Sequence, residues 1–177
     1  MMPGRILFAF SALLLLSWAS SAAAETASGK PGSIGVKPPV MVLADPKGAS
    51  HDITRPDGKN GPVCIYFWSV FCSNCKEAMP ILLELDRKWK DHGLTIWAVN
   101  VDGDRFSNAV EAFLKDSELP LNVVYDRLKG EELIAADPLS VTKTPTLILL
   151  DVDGVITIRQ EVAIDPAPIE KFLAQAH

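Results

Sequence analysis

Two cysteines three positions apart, Cys72 and Cys75, constrain this chain more than any other feature. The apolar run 62–71 precedes them and the amphipathic run 77–89 follows them, so the pair is predicted to lie on a turn from a strand into a helix. At this spacing the two sulfurs can form a disulfide. The first thiol also lies at a helix N-terminus, where unpaired N–H groups stabilise a thiolate. Because a thiolate is the species that attacks disulfides, the pattern predicts a reaction as well as a fold.

The first 24 residues have the pattern of a secretory signal peptide. Arg5 supplies a positive charge, residues 6–18 form an apolar stretch that is short for a membrane span, and the alanines at 22–24 offer a cleavage site. The alternative is an uncleaved N-terminal membrane anchor. We therefore expect a periplasmic or otherwise exported protein, soluble after cleavage of the signal.

The remaining chain divides into two parts. Residues 25–39 are rich in Gly, Pro, Ser and Ala and are expected to form a flexible tether to a single domain at 40–177. Without residues 1–24 the chain keeps 16 basic and 22 acidic residues, a net charge of −6. This acidic balance argues against nucleic acid or an anionic lipid surface as a partner. No dimerisation segment is visible in the sequence, and we expect a monomer.

Predicted strands and helices alternate along this domain. We expect, in order, a hairpin at 40–54, a strand at 63–68, a helix at 77–89, a strand at 94–101, a helix at 106–114, a strand at 121–125, a brief helical stretch at 131–136, a hairpin at 146–159 and a helix at 166–176. This order predicts an α/β fold: a mixed central sheet with helices on both faces.

The cysteine count is odd, and the three thiols have different expected roles. Cys64 lies mid-strand and is expected to be a small core side chain. We interpret Cys72 as the nucleophile and Cys75, one turn into the helix, as the resolving thiol. The alternatives for this pair are a structural disulfide or half of a metal site, but the sequence has neither a second CxxC nor a suitable His pair to complete the latter.

Two segments carry a family resemblance. Residues 67–80, FWSVFCSNCKEAMP, resemble the active-site segment of exported thioredoxin-like proteins of the TlpA/ResA type, and residues 144–154, TPTLILLDVDG, resemble their second signature. The resemblance implies a thioredoxin fold with an N-terminal β-hairpin extension, and a cis bond before Pro145, which would face the cysteines. It also implies a thiol-disulfide oxidoreductase with no cofactor beyond the Cys72–Cys75 disulfide. Many members reduce apocytochrome c or other exported thiol proteins, with electrons from a membrane transporter of the DsbD or CcdA type.

Three positions depart from the family pattern. Phe71 replaces the Trp that commonly precedes the first cysteine, Ala78 stands where an acid is often found, and Tyr66 stands where cytosolic thioredoxins have a buried Asp. Lys76, Glu77 and Tyr66 are the candidates for tuning the thiol pKa or moving protons. The alternatives are a solvated helix start for the first two and a core aromatic for Tyr66.

Three further residues are candidates for substrate binding. If the bond before Pro145 is cis, the backbone of Thr144 can pair with an extended substrate strand beside the sulfurs. The alternative for Thr144 is an ordinary strand-entry residue. Trp68 and Phe71 are expected to form an apolar collar around Cys72, and packing in the core is their alternative.

Four functions are compatible with this pair. The first is an exported reductase that cycles the two thiols. A disulfide oxidase or isomerase would run the same chemistry at a less reducing potential. A peroxiredoxin-type peroxidase shares the fold, but the usual Pro and Thr flank of its reactive cysteine is absent. A copper-binding assembly protein would use both thiolates and a His, although that family separates its cysteines by three residues rather than two.

Overall fold

The computed structural model describes residues 29–55, 60–117 and 120–175. Within these ranges the chain forms nine strands and three α-helices. They are β1 Val42–Ala44, β2 Ser50–Asp52, β3 Val63–Trp68, α1 Ser73–Trp89, β4 Thr95–Asn100, α2 Ser107–Ser117, β5 Asn122–Tyr125, β6 Leu128–Lys129, β7 Glu132–Leu133, β8 Thr146–Leu150, β9 Ile156–Glu161 and α3 Pro166–Gln175. The segment interpreted as a signal peptide, 1–24, lies outside the described residues.

Seven of these strands form one mixed sheet in the order β2-β1-β5-β4-β3-β8-β9. β3, β4 and β5 are parallel, whereas β8 runs antiparallel to β3, and β9 antiparallel to β8. Thr146, the first residue of β8, pairs with both Phe67 near the end of β3 and Glu161 at the end of β9. The loops after β3, β4, β5 and β9 and the loop before β8 therefore meet at one end, which we call the Cys72 end of the sheet.

The two faces of the sheet are covered differently. Along β3, alternate side chains enter two separate cores, as a strand with period two requires. The buried side chains of all three described α-helices belong to the first core, with Tyr66 and Trp68. The second core is closed by the β1–β2 hairpin and by residues 135–139. The mixed sheet is confirmed. The expectation of helices on both faces is wrong, because all three described α-helices pack against the first core.

The helix expected at 131–136 does not form. Gly130, with φ +73°, turns the chain between β6 and β7, which pair as a small hairpin. The carboxylate of Asp126 then accepts the N–H groups of Ala135 (3.0 Å) and Ala136 (2.8 Å). Hydrogen bonds to a side chain thus satisfy backbone donors that a helix would have satisfied internally.

The segment expected to be a flexible tether is packed on the domain where the structure describes it. Gly35 N–H donates to the carbonyl of Ile156 (2.8 Å), and Ile156 N–H donates to the carbonyl of Val36 (3.0 Å). β9 lies at the edge of the sheet, where its outer backbone groups would otherwise be unpaired. Residues 30–36, which we call the N-terminal arm, pair with the start of this edge at Ile156, so the predicted tether is corrected over these residues.

Candidate active site

The cysteine pair begins helix α1. Cys72 is the N-cap residue, with extended backbone angles, and its Sγ accepts the N–H of Cys75 (3.1 Å). The two cysteines form a disulfide with their Cα atoms 5.2 Å apart. Cys75 is completely buried, whereas Cys72 keeps part of its surface exposed. An incoming sulfur therefore has access only to Cys72, which also receives the partial positive charge of the helix N-terminus.

The loop that leads into Cys72 is held by Asp102, which follows β4. One carboxylate oxygen accepts the hydroxyl of Ser69, and the other accepts Val70 N–H (2.8 Å) and the side-chain amide of Asn100 (2.7 Å). The hydroxyl oxygen of Ser69 in turn accepts Phe71 N–H (3.1 Å). The backbone is thus fixed up to the residue before the nucleophile.

Pro145 lies at the same end of the sheet, directly before the neighbouring strand β8. The Thr144–Pro145 peptide bond is cis, as the family resemblance implies. The carbonyl of Pro145 accepts Val162 N–H (2.8 Å), and the carbonyl of Val162 accepts the side-chain amide of Asn74 (3.3 Å). These bonds join the start of α1, the loop after β9 and the loop before β8. Thr144 is half-buried, so part of its surface faces solvent.

Two aromatic residues on β3 lie inside the first core. The hydroxyl of Tyr66 donates to the carbonyl of Cys75 (2.9 Å), so this core residue also supports the second cysteine. Burial raises the pKa of Tyr66, with the nearby Cys64 adding to the shift, and the hydroxyl therefore stays a neutral donor. Trp68 is completely buried, with its ring 5.4 Å from that of Phe113. Its expected place in a substrate-binding collar is therefore wrong, because the ring has no surface for a substrate to contact.

Phe71, in contrast, is 65% exposed immediately before the nucleophile. Its ring stands edge-on to that of Phe106, with centroids 5.0 Å apart. Phe106 ends a short 3₁₀ turn, Asp104–Phe106, before α2 and is itself 38% exposed. The two rings form a small exposed apolar surface at the residue before Cys72.

The two charged residues proposed to tune the thiols lie on the exposed surface of α1. The ammonium of Lys76 sits 5.5 Å from the centroid of the Phe113 ring, a distance at which cations are attracted to the ring face. Glu77 is exposed. Their proposed effect on the cysteine pair stays a prediction.

The third cysteine is confirmed as a core residue. Cys64 is buried, and burial raises the pKa of its thiol to about 12. It is therefore protonated at neutral pH and cannot compete with Cys72 as a nucleophile.

Residues 29–55, 60–117 and 120–175 contain neither a metal-binding cluster nor a membrane-spanning helix. No group of three or more His, Cys, Asp or Glu side chains there is arranged to hold a metal ion. No helix in these ranges has the length and apolar character to cross a membrane.

Comparison with known proteins places this site in a family. A family model described as thioredoxin-like matches residues 60–156, more than half of the chain. The chain belongs to the thioredoxin-like family. It is 32% identical to the thiol-disulfide oxidoreductase ResA of Bacillus cereus strain ATCC 10987 over 157 residues, which is 87% of this chain and 86% of that protein. A second match, to ResA of Bacillus cereus strain ZK, is 35% identical and covers 68% of this chain and 65% of that protein.

Solved structures of thioredoxin-like proteins confirm the fold. The thioredoxin domain of a thiol-disulfide oxidoreductase from Bacteroides vulgatus superimposes with a TM-score of 0.67 at 26% identity, covering 80% of this chain and 98% of that one. A protein from Chlorobium tepidum, described as a putative thiol:disulfide interchange protein DsbE, gives a TM-score of 0.64 at 22% identity, covering 81% and 97%. The predicted enzyme class, thiol-disulfide oxidoreductase, is thus the class of these thioredoxin-like relatives.

The sequence reasoning missed two residues that shape the thioredoxin-like site. Asp102 directly follows a buried strand parallel to β3, and an acid at such a strand end was a usable signal, because parallel strands end at the same edge of a sheet. Phe106 had no such signal, since its contact with Phe71 depends on the path of the chain between β4 and α2.

Proposed function

We propose that this chain is an exported thiol-disulfide oxidoreductase that reduces disulfides of other exported proteins. The supporting observation is the asymmetry of the pair: Cys72 is accessible at a helix N-terminus, and Cys75 is buried one turn away. That arrangement separates an attacking sulfur from a resolving one. The chemistry is that of the curated relatives, and the export signal predicted at 1–24 supports the compartment.

The reaction would proceed in two exchanges. The Cys72 thiolate attacks one sulfur of the target disulfide, so a mixed disulfide forms and a target thiolate leaves. The Cys75 thiolate then attacks Cys72 Sγ, which forms the Cys72–Cys75 disulfide and releases the second target thiolate. Two electrons pass to the target, and each released thiolate takes a proton from water. Pro145 and the backbone of Thr144 would hold the target segment beside Cys72.

The next cycle requires a reductant for the Cys72–Cys75 disulfide. We propose a membrane electron donor of the DsbD or CcdA type, because exported reductases of this family draw on such transporters. Apocytochrome c is a proposed substrate on the same ground. No cofactor beyond the disulfide enters the cycle.

Trapping of a mixed disulfide tests the proposal. The full chain carrying Cys75→Ser should accumulate covalent complexes with exported proteins that a reductant dissolves, because the second exchange cannot occur. Cys72→Ser should trap nothing, since Cys75 is buried, and Cys64→Ala serves as the matched control on the unreactive thiol. If Cys75→Ser forms no complex with any oxidised protein, the proposed function fails.

The reduction potential of the Cys72–Cys75 pair decides the direction of electron flow. A value near that of thioredoxin, about −270 mV, supports a reductase, whereas about −120 to −180 mV supports an oxidase or isomerase that uses the same two thiols. Equilibration of the purified chain with glutathione or dithiothreitol measures it.

A further inference from the structure

The side chain of Arg159, on β9, donates hydrogen bonds to three backbone carbonyls from two distant segments. Nη1 donates to Gly32 (3.1 Å) and Leu139 (2.8 Å), and Nη2 donates to Ser140 (3.0 Å). Nε and Nη2 also donate to one carboxylate oxygen of Glu161 (3.0 and 2.9 Å). These bonds use all five N–H groups of the guanidinium, whose side chain is only 17% exposed.

Two of these carbonyls begin the loop that carries Pro145. Ser140 has φ +53°, a left-handed conformation that is uncommon outside glycine. Further along the loop, Lys143 Nζ lies 3.9 Å from the second carboxylate oxygen of Glu161. The next residue after Glu161 donates its N–H to the carbonyl of Pro145. Residues 159–162, at the end of β9 and just after it, therefore contact the proposed substrate-binding loop at its start, its middle and its end.

The third carbonyl belongs to the N-terminal arm. Gly32 has φ +80°, and a Cβ added there would lie 2.0 Å from the carbonyl oxygen of Leu139. The hydroxyl of Ser140 also donates to the carbonyl of Pro31 (3.1 Å). The arm thus contacts the start of the loop closely enough that only glycine fits at position 32.

We propose that Arg159 is a positioning residue for the substrate-binding loop 139–145, and that the N-terminal arm completes this support. The role rests on the proposed function, because the loop presents the half-buried Thr144, next to the buried Pro145, to a protein substrate. A lysine cannot replace the arginine here, since an ammonium lacks the planar fork that reaches three carbonyls at once. Support of the loop affects the binding of an extended protein segment and leaves the disulfide chemistry of Cys72 unchanged.

Two variants and a matched control test this inference. Arg159→Lys removes the planar fork. Gly32→Ala displaces the arm, and with it the Gly32 carbonyl that Arg159 binds, but keeps the guanidinium itself. Gly35→Ala is the control, because Gly35 has the same left-handed strain (φ +84°) but no atom within 4 Å of its added Cβ. Turnover is measured with insulin and with a small aryl disulfide, together with the reduction potential and the hydrogen exchange of residues 141–144.

We expect KM for insulin to rise about tenfold in Arg159→Lys and Gly32→Ala, with kcat, the small-disulfide rate and the potential unchanged. The amides of 141–144 should exchange faster in both variants than in Gly35→Ala. The inference would be overturned if a variant lost turnover equally with insulin and with the small disulfide. It would also be overturned if the amides of 141–144 exchanged no faster in Gly32→Ala. If the wild-type chain itself reduces no protein disulfide, the proposed function fails, and hydrogen exchange still decides whether Arg159 and the arm position the loop.

Discussion

Two of the loops that meet at the Cys72 end of the sheet are held by side chains of opposite charge. The loop 69–71, before the nucleophile, offers N–H and O–H donors, and the carboxylate of Asp102 accepts them. The loop 139–145, before Pro145, offers carbonyl oxygens, and the guanidinium of Arg159 donates to them. The aspartate follows β4, the neighbour of β3, and the arginine lies on β9, the neighbour of β8.

The sign of each charge matches the groups that each loop offers. The loop 69–71 offers the hydroxyl of Ser69 and the N–H of Val70 to the carboxylate. The loop 139–145 instead leaves a series of turns, and its free groups are carbonyls. The loop before Cys72 positions the attacking sulfur, whereas the loop before Pro145 positions the proposed substrate. The two should therefore fail in different ways when their supports are removed.

The largest expected effect is that of Asp102→Ala. Without the carboxylate, Ser69, Val70 and Asn100 lose their common acceptor and the backbone before Cys72 is no longer fixed. Misplacement of a reacting group by about 1 Å costs on the order of 100-fold in rate, so kcat/KM should fall by about that factor. Unlike Arg159→Lys, this variant should lose activity equally with insulin and with a small aryl disulfide.

Asp153→Ala is the matched control, since Asp153 is an exposed acid in the β8–β9 turn at the other end of the sheet. Retention of the small-disulfide rate in Asp102→Ala would show that both loops serve binding alone. The contrast between the two supports would then be lost.

Phe71→Ala should have the next largest effect. Phe71 belongs to the loop that positions the nucleophile, yet its exposed ring offers binding surface. Loss of that apolar contact should lower kcat/KM for insulin about tenfold and leave the small disulfide unaffected. Phe106→Ala, with less exposed surface, should act in the same direction but more weakly. Val152→Ala, 54% exposed in the distant β8–β9 turn, should change neither rate.

The combination of Phe71→Ala with Arg159→Lys sharpens this result. If the two loops bind separate parts of the substrate, the two losses in free energy should add. A combined loss equal to the larger single loss would instead mean that both residues act on one contact.

The difference between the loops also explains which parts of the site the sequence could predict. β3 was predicted with its observed ends, 63–68, because its signal is local: a run of apolar residues followed by the cysteines. The supports are not local. Asp102 lies 32 and 33 residues from its partners Val70 and Ser69, and Arg159 lies 127 residues from Gly32. Such contacts exist only after the strand order is set. The sequence offers a signal for Asp102, which comes just after a predicted strand, but none for the carbonyls that Arg159 binds.

Trp68 illustrates the same limit within a single strand. Its position next to the active-site segment suggested an exposed collar, but the alternation along β3 turns it into the first core with Tyr66. Phe71, three residues later, has left the strand and is exposed. The end of the strand, rather than proximity in sequence to Cys72, separates a core aromatic from a surface one.

The smallest expected effect concerns a third loop at the Cys72 end, the loop after β5, and is measured as a pH dependence of stability. Asp126, after β5, holds backbone N–H groups as Asp102 does, but it is completely buried. Burial raises the pKa of Asp126 more than the bonds from Ala135 and Ala136 lower it. The folded state therefore binds the proton more tightly than the unfolded chain, so this group's contribution to stability is full below about pH 4 and declines as pH rises through the folded pKa. Asp126→Asn should remove that decline from the free energy of unfolding, measured in urea at several pH values from 4 to 7. An identical pH profile in the variant and the wild type would contradict this assignment.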